Sequence, residues 1–471
     1  MDDAAQSRAS SRVPAAVADA GVASSGPRPS LSVLDTIAIT VGIVIGAGIF
    51  ESPSVVAANS PGAGSILLLW LAGGLMSLLG AFCFAELAST YPHPGGNYVY
   101  LHRAFGQGTA FLFVWARMAV IQTGSMAMLG FVFADYAAQI FSFGPLTAPL
   151  YALLVIALFT CIHIAGVRPG KHTQNLLTVA EVLGVSMLIV CGLALAPAHS
   201  ASAMPVSSAG SLGLALVFVL LAYGGWNEAA FVSAEIKGRR NGIAIALLVS
   251  IALVTGIYFL VNSAMVHALG LSGMAASRAV GADLMRAAAG DTGARLLSVA
   301  VSISVLSSLN VTVMTGARAM YALGEDFSAL RFLGGWERYA NTPLHALLVQ
   351  AAIASVLVVF GAFTRTGFKT MVEYTAPVYW LFFFLTAVAL LVLRRREPYV
   401  PRPFRVPAYP LVPLAFCAVA AYLVYASLAY AGIGSLVGVG VLLAGVPVLL
   451  IARRKQATSS TSVITPRRRA L

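Results

Sequence analysis

Two glycine-centred stretches and one acidic residue carry the chemistry open to this chain. The first is Thr40 to Pro53, TVGIVIGAGIFESP, where Gly46, Ala47 and Gly48 sit in the middle of a hydrophobic run and Gly42 lies one turn earlier. The second is Leu220 to Phe231, LLAYGGWNEAAF, where Gly224 and Gly225 lie between Leu221, Tyr223 and Trp226. Each glycine costs a helix about 1 kcal/mol relative to alanine, so both stretches favour an unwound middle. Bare peptide groups in hydrocarbon cost several kcal/mol each, and such a break persists only where it lines a cavity or meets a ligand. The half-helix that begins at a break exposes free N–H groups and the half that ends there exposes free carbonyls. Aligned peptide dipoles add about half a positive charge to the first and half a negative charge to the second. Past Gly46, the amides near Ala47 and Gly48 can hold a carboxylate, and the carbonyls near Val44, Leu221 and Gly224 can hold an ammonium. A zwitterion fits a site with both ends, and an α-amino acid is the commonest metabolite of that kind. An isolated Gly-Gly pair reads more plainly as close helix packing; two breaks at matching places shift the balance toward a binding site.

Glu181, within QNLLTVAEVLGVSML, is the third element. An ionised carboxylate at the centre of a membrane helix costs about 2.5 to 3.5 kcal/mol, so a group placed there is functional by default. Two roles stay open: exchange of a proton during a transport cycle, or a static pair with Arg117, the one basic residue deep in the third hydrophobic segment. Glu51 and Glu228 flank the breaks. Either can receive a cationic side chain, which would make Lys, Arg or a polyamine the substrate, or can bond the loosened backbone. Glu86 and Glu235 fall near segment ends and read as solvated charges, Glu235 alternatively as Arg-paired.

The elements that must position these residues are membrane helices. Of 471 residues, 59% are hydrophobic and only 10% charged, against about 25% charged in soluble domains; the mean hydropathy is +0.87. Runs of about 20 apolar residues, enough to cross a bilayer, recur at 33–59, 65–90, 108–140, 149–167, 174–196, 211–235, 242–270, 293–323, 344–363, 370–394, 409–430 and 434–452. The predicted fold class is therefore an all-α membrane protein with twelve transmembrane helices. The third and eighth runs exceed a perpendicular crossing and imply tilt.

The net charge of +12 is topological. With an inside N-terminus, 22 of the 29 Lys and Arg fall in the tails and even-numbered connections and 5 on the opposite side, as the positive-inside rule requires. Both termini are expected in the cytoplasm and the chain in the plasma (inner) membrane, with no nucleic-acid partner. The first 30 residues lack the apolar stretch of a signal peptide, and 1–30 and 454–471 read as disordered tails. Cys83, Cys161, Cys191 and Cys417 lie in apolar segments without metal-ligand spacing and read as small buried apolar residues. The seven His form no HExxH-like pair, no GxxxxGK[ST] loop is present, and no nucleophile, base and oxyanion donor come together. No metal, no cofactor and no enzymatic activity are expected.

The first broken segment opens one set of five helices and the second opens another. An odd number per repeat inverts the second set against the first, which is the inverted-repeat transporter architecture with its site at the midplane. The expected units are a first repeat at 31–197, a second at 210–395 and an appended helix pair at 405–453.

GIVIGAGIFESP, FAELASTYPHPGGNYVYL, AYGGWNE, NTPLHALLVQ and RPFRVP together resemble the amino acid–polyamine–organocation (APC) superfamily. Within it they are most similar to the L-type amino acid transporters and bacterial amino acid permeases, over about residues 30 to 450. The resemblance implies the LeuT-type 5+5 fold with discontinuous helices 1 and 6. It also implies an amino acid substrate whose carboxylate meets Ala47 and Gly48 and whose amino group meets Val44, Leu221 and Gly224. It places Ser307, Ser308 and Asn310 at the depth of the side-chain pocket, although interhelical hydrogen bonds are the plainer use of such residues. It marks Glu181 as a departure, since many relatives carry there a Lys that replaces a sodium ion. The aromatic lid of several L-type members falls at Leu221, so gating passes to Tyr223, Trp226 or Phe50. The loop FSFGPLTA lacks the cysteine that tethers animal members to a glycoprotein heavy chain, so no disulfide-linked partner is expected. The expected function is secondary active transport of amino acids, by ion-coupled uptake or exchange. Carriage of cationic amino acids or polyamines is the first alternative, and a non-transporting amino acid sensor a more remote one.

Overall fold

The computed structural model describes residues 29–46, 48–138, 144, 146–197, 212–238, 241–277, 279–364, 367–430 and 433–463. The proposed carboxylate contact at Ala47 and most of the expected terminal tails lie outside the described residues.

The chain is all helical. The helices are α1 (Val33–Val44), α2 (Gly48–Ala58), α3 (Ala63–Thr90), α4 (Asn97–Phe105), α5 (Gln107–Ala116), α6 (Gln122–Ala137), α7 (Thr147–Ala165) and α8 (Val167–Val190), followed by α9 (Leu212–Ala222), α10 (Gly242–Ala276), α11 (Val280–Asp326), α12 (Leu344–Thr364), α13 (Gly367–Arg396), α14 (Leu411–Tyr430) and α15 (Ile433–Val463). A π-helical turn, Arg117–Ile121, joins α5 to α6, and a 3₁₀ segment, Trp226–Glu235, follows α9. Among the described residues, ten helical runs are long and apolar enough to cross a membrane, or eleven if the bent pair α1 and α2 counts as one crossing. The apolar part of α12, Leu344–Val359, is shorter, so eleven of the twelve expected crossings meet the length criterion. Leu68, Leu154, Leu176 and Leu183 are each more than half exposed, the outward apolar belt that a lipid-facing bundle needs. Cys161 belongs to that outer face and is not buried as expected.

Several boundaries differ from expectation. The seventh and eighth segments run longer because Gly270 and Gly290, both at φ +64°, turn the chain within the helical run. α8 starts at Val167, ahead of the predicted 174, and α15 continues through Val463, so the tail expected from 454 begins as helix. At the other end, the N–H groups of Ser30 and Leu31 donate to the Glu235 carbonyl at 2.8 and 2.9 Å.

α1 begins with a reciprocal cap. The Ser32 hydroxyl accepts from the Asp35 N–H at 3.1 Å, and the Asp35 carboxylate accepts from the Ser32 N–H at 2.8 Å, which satisfies two of the free donors at a helix start. Lys171 and Asn175 of α8 hold the same carboxylate at 3.1 and 2.8 Å. α1 is thus fixed at its entry by α8, and α10 packs along α1, α2 and α3, leaving the glycine break as the joint between two anchored half-helices.

Candidate functional site

The two breaks touch. α1 stops at Val44 and α2 starts at Gly48, with a 46° bend between them. α9 stops at Ala222, the chain turns through Tyr223 to Gly225, and Gly225 takes φ +105°, a left-handed conformation that a side chain resists. A Cβ on Gly48 would lie 2.8 Å from the Ala222 Cα, and one on Gly225 would lie 3.1 Å from Ile43 Cγ1 and 3.3 Å from the Ile43 carbonyl oxygen. A Cβ on Gly46 would lie 2.6 Å from the Ser308 hydroxyl. These glycines let two opened backbones approach each other.

Side chains from α10 and α11 meet the carbonyls released at the first break. The Tyr258 hydroxyl, on α10, lies 2.6 Å from the Val44 carbonyl and 3.0 Å from the Ala222 carbonyl, linking the ends of α1 and α9. On α11, Ser307 donates to the Gly42 carbonyl at 3.1 Å, and Ser308 lies 3.2 Å from the Gly42 carbonyl and 3.3 Å from that of Ile43. Ser304 contacts both the Ile45 carbonyl and a Glu181 carboxyl oxygen. At the second break the Leu221 carbonyl accepts from the Gly224 N–H at 3.0 Å, and the Gly225 N–H points at the Tyr379 hydroxyl at 3.4 Å. A carbonyl has two lone pairs, so Val44 and Leu221 keep a second acceptor position.

Glu181 is 1% exposed, and its second carboxyl oxygen has no hydrogen-bond partner. Ser304 owns one hydrogen and touches two acceptors. Ser304 thus stands between the buried carboxyl and the Ile45 carbonyl of the break. A buried carboxyl is thereby wired to the break.

Arg117 is not the partner of Glu181. It forms a bidentate pair with Glu228, at 2.9 and 2.8 Å, both side chains nearly buried, because α8 packs on α1 and α11 whereas the turn bearing Arg117 packs on α13. Its guanidinium lies 4.2 Å from the centroid of the Phe231 ring. Asn227 donates to Glu228 at 3.2 Å and accepts from the Tyr379 hydroxyl at 2.9 Å. The pair is thus tied to the turn at Gly225, and Glu228 is already neutralised by a fixed cation. Of the other acids, Glu51 is exposed. Glu86, expected to be solvated, is fully buried between Arg394, Arg402 and the Val406 N–H, the last at 2.7 Å. Glu235 is fully buried and paired with Arg318 of α11 at 3.0 Å.

The aromatic gating candidates are packed. Tyr223 donates to the Trp70 carbonyl at 2.9 Å and its ring lies on Tyr258; Trp226 is enclosed by Phe84, Phe383 and Phe416; Phe50 is buried. Gly224, Trp226 and Tyr379 line a cavity of about 10 Å³, room for about one water molecule. Asn310 ties three helices together: its amide donates to Gln174 of α8 at 2.9 Å, and its carbonyl oxygen lies 2.9 Å from His163 of α7. Sequence reasoning missed Tyr258 and Ser304, which are single hydroxyls in apolar helices with no local motif to mark them.

The family described as amino acid permease matches residues 31–452. The chain is similar to the b(0,+)-type amino acid transporter 1 of Homo sapiens, 29% identical over 84% of this chain and 82% of that protein, and to that of Rattus norvegicus, 30% identical over the same shares. It is similar also to the large neutral amino acids transporter small subunit 2 of Homo sapiens, 28% identical over 90% of this chain and 80% of that protein. A multi-pass helical membrane protein with two opened helices in contact, matched by this family over residues 31–452, is a transporter and not an enzyme: the chain belongs to the amino acid permease family of the APC superfamily.

Proposed function

We propose that this protein is a secondary active transporter that carries neutral α-amino acids across the plasma membrane by alternating access. It does so on a LeuT-type 5+5 inverted repeat of twelve crossings with both termini cytoplasmic, α14 and α15 being the appended pair. The observation that carries the reading is the meeting of the two breaks, with Tyr258 bridging Val44 and Ala222. The substrate carboxylate takes the amides at Ala47 and Gly48, past Gly46. Its ammonium takes the carbonyl lone pairs of Val44, Leu221 and Gly224, and side chains from Tyr223, Trp226 and Asn310 frame the pocket by packing. In this conformation the breaks are in contact and the adjoining cavity holds about 10 Å³, so binding requires the two half-helix pairs to separate, and that separation exposes the site to one side or the other.

A zwitterion without a side-chain charge is favoured because Glu228, the buried acid nearest the second break, is occupied by Arg117. The names of two relatives, amino acid transporters of which one takes large neutral amino acids, point the same way. Glu181 couples the cycle to protons through Ser304 and the Ile45 carbonyl. No disulfide-linked heavy chain is needed.

The test is radiolabelled counterflow in proteoliposomes with leucine, alanine, lysine, arginine and putrescine, run with and without a pH gradient. Neutral amino acids should exchange, and their uptake should be driven by an inwardly directed proton gradient, acidic outside. Preference for lysine or putrescine would favour the cationic alternative, and binding without flux would favour a sensor. A Glu181→Gln variant that transports with unchanged pH dependence would exclude the coupling role.

A further inference from the structure

The loop at 91–96 joins α3 to α4 and is wedged between the second opened segment and the end of α11. The His93 N–H meets the Ser233 hydroxyl of the 3₁₀ segment at 3.3 Å. A Cβ on Gly96, at φ +47°, would lie 2.9 Å from the Phe231 ring, and one on Gly95 would lie 2.8 Å from the Ala322 Cβ of α11. The 3₁₀ segment and α11 cannot part on this side while the loop is seated.

The His93 ring closes the loop's own turn. Its Nδ1 accepts from the buried Gly95 N–H at 2.9 Å, so a neutral ring carries its proton on Nε2, which lies 4.0 Å from the Glu325 carboxylate. Both side chains are more than a third exposed and open to protons from solvent. The other titratable groups around the ring are committed elsewhere. Tyr98 of α4, stacked on His102, bonds Asp326, and Tyr321 donates to Glu325 at 2.8 Å. Glu235 of the 3₁₀ segment pairs with Arg318, and Tyr91 donates to Glu397. A second proton on the ring must go to Nδ1, where it turns the acceptor of the Gly95 N–H into a donor. The buried amide then loses its partner, a greater loss than the gain from a half-exposed ion pair at 4.0 Å. Burial likewise holds the pKa of His93 below its ordinary 6.5, against the upward pull of Asp326. A ring less basic in the seated loop than in water gains its proton as the loop leaves, so acid favours the unseated loop.

We propose that His93 is a proton switch on the cytoplasmic gate: neutral, it locks the loop at 91–96 between the 3₁₀ segment and α11, and protonated, it releases the loop and admits the cytoplasm-facing conformation. The inference rests on the alternating access and the topology proposed above. Acid on the inner face thus speeds opening toward that face, whichever amino acid is carried.

The test is hydrogen–deuterium exchange of residues 91–96 and 226–235 in the full-length protein in detergent, corrected for the intrinsic effect of pH, alongside leucine exchange in proteoliposomes at equal pH on both sides. From about pH 7.5 to about pH 5.5 the corrected deuterium uptake of both stretches should rise about fivefold, the small end of linked-site effects. In His93→Asn, whose side-chain oxygen still accepts from Gly95 but takes no proton, the rise should vanish. Glu325→Gln keeps the Gly95 bond and removes the nearest negative charge, so its rise should begin at lower pH; it serves if His93→Asn does not fold. Uptake that is flat with pH in the wild type, a rise retained in His93→Asn, or an onset unmoved in Glu325→Gln would overturn the switch and leave the transport reading intact. The deuterium rise without leucine flux at either pH would overturn the transport reading and leave the loop switch standing.

Discussion

The Tyr258 hydroxyl stands 2.6 Å from the Val44 carbonyl, where α1 ends, and reaches across 3.0 Å to Ala222, where α9 ends. One hydroxyl therefore serves the last carbonyl of both opened helices. Removing it in Tyr258→Phe takes away the one hydrogen that these two buried carbonyls share, and a buried unpaired group costs about 1 to 3 kcal/mol. The thermal midpoint of the variant should fall by several degrees. Saturating leucine should restore more of that midpoint than it adds to the wild type, because the substrate ammonium can supply the missing donor. Size-exclusion thermostability with and without leucine checks this.

Gly48 and Gly225 test the contact itself. A methyl group on Gly48 meets Ala222 Cα at 2.8 Å, and on Gly225 it meets Ile43 at 3.1 Å from a left-handed backbone. Alanine at either position should lower leucine counterflow more than tenfold, about 1.4 kcal/mol or more. Gly64→Ala, where nothing lies within 4 Å, should leave counterflow unchanged in the same assay.

The Arg117–Glu228 pair is buried, so removing one partner leaves the other charge uncompensated, at a cost of about 3 to 5 kcal/mol. Arg117→Met and Glu228→Gln should each abolish most of the folded protein at 37 °C. The double variant should recover much of the loss, since two neutral groups avoid the stranded charge. Folded yield by fluorescence size-exclusion chromatography for the four members of the cycle checks this, and additive losses would contradict it.

Outside the membrane segments, Glu397 joins the helix ends through Arg103 and Tyr91, at 3.0 and 2.8 Å. Burial is the largest single influence on its carboxyl and pushes upward. The hydrogen bonds from Arg103 and Tyr91, with the charges of Arg103 and Arg402, outweigh it and hold the group below its ordinary 4.5. In turn, burial and the bond to Glu397 push the Tyr91 hydroxyl up to about 12. A lowered carboxyl contributes stability that is fully present above its unfolded value and is lost as pH falls through the folded one. The gap in thermal midpoint between the wild type and Glu397→Gln should therefore be constant from pH 8 to about 5 and close below about 4.5. A gap that widened on acidification would contradict the assignment.

Much of the scaffold could be read in advance because membrane helices advertise themselves locally: twenty apolar residues and the glycines that interrupt them are contiguous in the chain. The breaks at Gly46 and Gly225 were legible for that reason. Partners were not. Glu181 and Arg117 were the obvious intramembrane pair by sign and depth, yet each faces a different neighbour, Ser304 for one and Glu228 for the other. Glu86 lies near a segment end, where solvation is the default, but Arg394 in the last turn of α13 and Arg402 in the connection after it bury it. Tyr258 could not have been singled out, since its role depends on where two other helices stop.

The central claim is that a single amino acid lies between the two opened helices. It is met most directly by a cryo-electron microscopy map of the full chain saturated with leucine. Density is predicted between residues 44–48 and 221–225, with its carboxylate on the Gly48 amide and its ammonium toward Val44 and Leu221, and the Gly48–Ala222 contact opened to admit it. Leucine density elsewhere, with Gly48 still against Ala222, would contradict it.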